Sequence, residues 1–137
     1  MNHAMIPPRS TPERLEDESL CEAPALSLLV IQAKDVETAK EFYSLLGLNF
    51  VAEQHGAGPH HYAAMLGPFV MEIYPRPNDG PITPLRLGFR VPVLEKTLEL
   101  LRRRGAKIVS EPKESPWERR AVVEDPDGNR VELMSAA

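Results

Sequence analysis

The chain has 137 residues, 42% of them hydrophobic and 26% charged, with a net charge of −4. That length suits one domain with its own core, and the acidic balance argues against a nucleic-acid partner. No apolar run approaches the roughly 20 residues of a membrane span, and the single Cys21 cannot form an internal disulfide, so a reducing cytoplasm is the default expectation.

Residues 1–24 are rich in Pro, Ser, Arg and acids and lack periodic apolar content or a signal-peptide core. They read as a flexible tail, with Cys21 an incidental thiol and Met5 an alternative start. The rest, 25–137, reads as one domain. Residues 25–35 form a strand that ends on Asp35, a good N-cap. Val36, Ala39, Phe42, Tyr43 and Leu46 then recur at helical spacing, and Gly47 closes the helix. Residues 48–55 read as a strand, 56–59 as a turn, and 60–66 with 69–74 as a hairpin across Gly67-Pro68. The Pro-rich 76–84 segment is a linker.

The pattern then repeats. Residues 85–92 are a strand, and Leu94, Leu98 and Leu101 mark one face of a helix whose Arg102–Arg104 end suits the helix dipole. Strands follow at 107–112, 118–124 and 129–134. Gly47 matches Gly105 at an offset of 58, and Met71-Glu72-Ile73 matches Val131-Glu132-Leu133 at an offset of 60. The chain is therefore an internal duplication of a β-α-β-β-β unit, with modules at about 26–75 and 85–135 sharing a core.

Alternation fixes the strand faces. Leu85, Leu87, Phe89 and Val91 face the helices, while Arg86, Gly88 and Arg90 face away. By duplication, Leu28, Val30 and Gln32 share that second face, as do Glu72, Tyr74, Glu132 and Met134. A two-residue turn at 67–68 pairs 66 with 69 and 63 with 72, which sets His61 beside Tyr74. A slip of one residue would turn His61 outward. His61 thus reads as a surface strand histidine or as a site base, and His55 and His60 as loop-rim residues. Trp117 reads as a loop anchor or a rim contact.

The stretches 34–50 and 123–134, with their Asp-Pro-Asp-Gly-Asn turn and Val-Glu-Leu strand, resemble the vicinal oxygen chelate superfamily of glyoxalase I, bleomycin-resistance proteins and extradiol dioxygenases. The resemblance implies an α+β fold: two βαβββ modules forming a cup-shaped mixed sheet, helices on the outer face, often in a homodimer. Metal-dependent members bind a divalent ion (Zn, Ni, Mn or Fe) through an early first-strand residue and a last-strand carboxylate of each module. The matching positions are Leu28, Glu72, Arg86 and Glu132. Leu28 has no donor atom and Arg86 stays protonated, so half the ligand set is replaced, with His61 a substitute ligand beside Glu72 and Glu132. The resemblance brings Arg86, Glu72 and Glu132 together around one point, so Arg86 is expected to pair with Glu132 and to neutralise both carboxylates in place of an ion.

Two functions follow from the resemblance. One is a glyoxalase-type lyase or isomerase with a degenerate metal site, using Glu132 or Glu72 as the base. The other is a non-enzymatic, resistance-type protein that sequesters a small molecule, with Arg86, Arg90, Gln32, Tyr74, His61, Met134 and Trp117 as ligand contacts.

Overall fold

The computed structural model describes residues 23–136. Met5, Cys21 and nearly all of the expected tail lie outside the described residues. The elements run β1 (Leu28–Ala33), α1 (Val36–Ser44), β2 (Val51–Glu53), β3 (His61–Leu66), β4 (Phe69–Pro75), β5 (Arg86–Arg90), α2 (Leu94–Arg103), β6 (Lys107–Glu114), β7 (Glu118–Glu124) and β8 (Arg130–Ala136). This is the β-α-β-β-β unit twice.

Hydrogen bonding arranges the strands in two four-stranded mixed sheets, β1-β4-β3-β2 and β5-β8-β7-β6, one from each module of the expected α+β fold. In each module the first strand lies parallel to the last, and the others are antiparallel. The hairpin register is the expected one, with Leu66 opposite Phe69 and Ala63 opposite Glu72. The strand expected over 48–55 shrinks to Val51–Glu53. Leu48 is instead buried in the core, and Gln54 donates to the Gly58 carbonyl in the loop.

One core serves both modules. Ile31, Ala33, Met71 and Ile73 of the first join Val91, Val131 and Leu133 of the second, under Ala39, Phe42 and Tyr43 of α1 and Leu94, Leu98 and Leu101 of α2. Each leucine so buried contributes roughly 1.5–3 kcal/mol. The core thus takes the strand faces that the alternation assigned to the helices.

The Asp125–Asn129 turn clasps the modules together. Asp125 is buried; one carboxylate oxygen accepts the backbone N–H groups of Asp127 and Asn129, and the other accepts the Tyr43 hydroxyl of α1 at 2.6 Å and the Asn129 amide at 2.7 Å. Asp127 accepts the Lys34 N–H that follows β1, and Asn129 accepts the Leu85 N–H that precedes β5. Gly128, at φ 91°, supplies the left-handed residue this turn needs.

Candidate functional site

The sheet faces turned away from the core carry the chemistry, and the two modules differ there. On the first sheet, Val30, Glu72, Ala63 and Val51 are cross-strand neighbours in one row. The next row holds Gln32 opposite Tyr74, and His61 opposite Glu53. The His61 and Tyr74 rings stack, with centroids 4.1 Å apart. His61 is not a surface histidine: its side chain is 1% exposed. Its Nε2 lies 3.2 Å from Glu53 and 3.7 Å from Glu72, and Nδ1 lies 3.2 Å from the Pro59 carbonyl. The Tyr74 hydroxyl is pushed above the usual tyrosine range, by desolvation first and then by the Glu72 and Glu53 carboxylates.

A groove of about 720 Å³ opens on this face, lined by Leu28, Val30, Gln32, Pro59, Glu72, Tyr74 and the Pro75–Pro77 segment. Leu28 and Val30 are 49% and 42% exposed there. Another cleft, of about 430 Å³, lies on the helix side between α1 and residues 104–107 and 124–126. It holds none of the residues expected at the site.

On the second sheet, Glu132 lies between Gly88 and Val122. Arg86 Nε donates to one of its carboxylate oxygens at 2.5 Å, and Arg120 Nη1 lies 3.5 Å from the other. Arg120 also donates to Glu118 at 3.2 Å, while Arg90 stands 3.8 Å from the second oxygen of that carboxylate. Met134 closes over Gly88, so that a Cβ added to the glycine would meet the methionine methyl at 3.3 Å. Trp117 sits partly buried in the β6–β7 turn, its backbone N–H donating to the Ser115 hydroxyl oxygen, and does not line the groove.

The geometry gathers the expected residues into two groups. Glu72, Tyr74, His61 and Gln32 meet in the first module; Glu132, Arg86, Arg90 and Met134 meet in the second. Among the described residues no hydrogen bond or ion pair joins the groups, so Glu132 is not a companion of His61, and Arg86 pairs with Glu132 but not with Glu72 as the resemblance implied. Its charge is already met by two guanidinium groups. Sequence reasoning missed Arg120 and Glu118 here, and Glu53 in the first module. His55 stands on the loop after β2, 72% exposed as a loop-rim residue would be, with its Nε2 3.6 Å from Glu53.

A family model described as Glyoxalase/Bleomycin resistance protein/Dioxygenase superfamily matches residues 25–133. The chain belongs to this superfamily. Among solved structures, TnmS3, an antibiotic binding protein from Streptomyces sp. CB03234, is 26% identical over 85% of this chain and 99% of its own, with a TM-score of 0.69. TioX from Micromonospora sp. ML1 (17% identity, 83% of this chain and 100% of that one, TM-score 0.66) and the oxidase ChaP-H1 (19%, 84% and 98%, 0.68) share the fold. A comparison with curated proteins finds no match. The residues standing where the resemblance puts the superfamily's metal ligands do not suit an ion. Leu28 offers no donor, and Arg86 sets a fixed cation against Glu132 where the ion would lie.

Proposed function

We propose that this superfamily member binds and sequesters a drug-sized, largely apolar molecule without transforming it. The carrying observation is the groove over the first sheet. Leu28 stands exposed at a metal-ligand position, beside Val30, the Tyr74 ring and three prolines, with Gln32, Glu72 and Arg76 as the few polar groups. Apolar walls with sparse convergent polar groups are the usual make-up of a small-molecule site. The Arg86–Glu132 pair supports the same reading, because it neutralises the second last-strand carboxylate that a lyase of this type would leave free for an ion. The likeness to TnmS3, an antibiotic binding protein, points to natural-product antibiotics as the first ligands to try.

The proposal includes a twofold dimer. Val51 and Met65, exposed on the same sheet face, offer an apolar surface for a second copy. Sedimentation as a monomer alone at micromolar concentration would remove that part.

Binding is tested by calorimetry with a panel of aromatic antibiotics. Leu28→Asp should weaken any binding by at least about tenfold, since a desolvated charge in an apolar wall is costly. Undiminished binding by that variant would place the ligand elsewhere.

A further inference from the structure

The repeat-equivalent carboxylates are answered differently in the two modules. Ala63 lies opposite Glu72, and Val122 lies opposite Glu132. Two residues before each stand His61 and Arg120, which therefore occupy the same place in the repeat. Across the next strand, His61 faces Glu53 while Arg120 faces Lys113. The second module thus meets its carboxylate with permanent cations. Among the described residues, neither Glu53 nor Glu72 pairs with a lysine or arginine; their partners are His55 and His61.

The tautomer of His61 sharpens the contrast. The Pro59 carbonyl and the Glu53 carboxylate both only accept, so a neutral ring satisfies one of the two contacts, and a proton on Nδ1 toward Pro59 leaves Nε2 without one. In that tautomer, Nε2 directs a lone pair at the oxygens of Glu53 and Glu72. A lone pair and two carboxylates converge on one point only if a cation or an additional proton lies there. A histidine whose far nitrogen donates to a backbone carbonyl is the arrangement that orients imidazole toward a metal.

We propose that Glu53, His55, His61 and Glu72 form a binding site for a zinc-class divalent cation, built wholly within the first module and sharing only Glu72 with the superfamily's cross-module position. One ligand atom from each of the four lies within 4.8 Å of all the others. A tetrahedral ion with bonds of roughly 2.0–2.1 Å spaces its ligands roughly 3.3 Å apart. The separations of 3.2, 3.6 and 3.7 Å are near that figure, and the widest pairs, at up to 4.8 Å, need to close by about 1.5 Å at most. His55, 72% exposed and on the loop after β2, is the ligand free to make that closure and leaves a path for entry. Two imidazoles and two carboxylates suit zinc better than calcium or magnesium, which favour oxygen alone. Glu72 also lines the groove, so the ion would sit at the edge of the proposed ligand site. The inference goes beyond the ligand-binding reading and does not depend on it.

The test is a titration of the chelator-treated full chain with Zn²⁺ by calorimetry, and with Co²⁺ by visible absorption, which reports four-coordinate geometry. One ion per chain is expected. His55→Ala and Glu53→Gln, both changes at solvent-accessible side chains, should each weaken zinc binding by at least about tenfold. Glu132→Gln should leave it unchanged. The proposal is overturned by a wild-type chain that binds no stoichiometric zinc, by a zinc affinity that His55→Ala leaves intact, or by one that Glu132→Gln weakens. Antibiotic binding is read separately and has no bearing on these outcomes.

Discussion

Tyr43 is fully buried on α1, yet its hydroxyl has a partner in Asp125 of the other module. Burial and then the Asp125 carboxylate hold the hydroxyl well above the ordinary tyrosine range, so the folded state keeps the proton that the unfolded chain releases near pH 10. Stability attached to this group is complete below pH 10 and falls as pH rises beyond it, because the folded state then binds more protons. Tyr43→Phe should lose about 1–3 kcal/mol at neutral pH, and its thermal midpoint should fall less steeply above pH 10 than that of the wild type. Arg86 and Arg120 divide unequally around Glu132. Arg86 is 56% exposed, so Arg86→Ala should cost less than about 1 kcal/mol in urea unfolding. Arg120→Ala, which strips the mostly buried Glu118 and Glu132 together, should cost about 1–3 kcal/mol. Clean alternation and the duplication put Arg86 and Glu132 on one face, and the resemblance implied that they meet there. Arg120 was not legible. Its strand reads Glu-Arg-Arg-Ala-Val-Val-Glu, with charges side by side and Val122 as apolar as its core neighbours, so no phase stands out. Glu53 escaped for the same reason, on a three-residue strand with no alternation to read.

The two helices show how far local signals carry at the scale of an element. Asp35 caps α1, accepting the N–H groups of Glu37 at 2.9 Å and Thr38 at 3.3 Å. Val93 stands at the same position of α2, with extended cap geometry and no side-chain bond. α2 forms regardless, because Leu94, Leu98 and Leu101 are buried along one stripe, and packing outweighs a missing cap. Val93 is exposed, so Val93→Asp should stabilise the protein by about 0.5–1 kcal/mol, seen as a raised thermal midpoint. An unchanged or lowered midpoint would show that the valine side chain has a role of its own. Helix faces, the 67–68 turn and its register were all readable, since each rests on short-range chemistry. The shortening of the 48–55 strand was not, because Leu48 leaves the strand pattern to join a core formed by distant residues.

At the scale of the whole molecule, the duplication predicted the architecture but not the asymmetry of its two faces. Each module carries a last-strand glutamate at the equivalent position. One looks onto an apolar groove beside two histidines, and the other is locked between arginines. That division underlies the reading of the protein as a binder that does not use the superfamily's metal position. The direct measurement is calorimetric titration of chelator-treated protein with the antibiotic panel, followed by mass spectrometry of the recovered ligand. The account predicts binding without added metal and a ligand of unchanged mass. Binding that appears only with a divalent ion, or a ligand returned chemically altered, would contradict it.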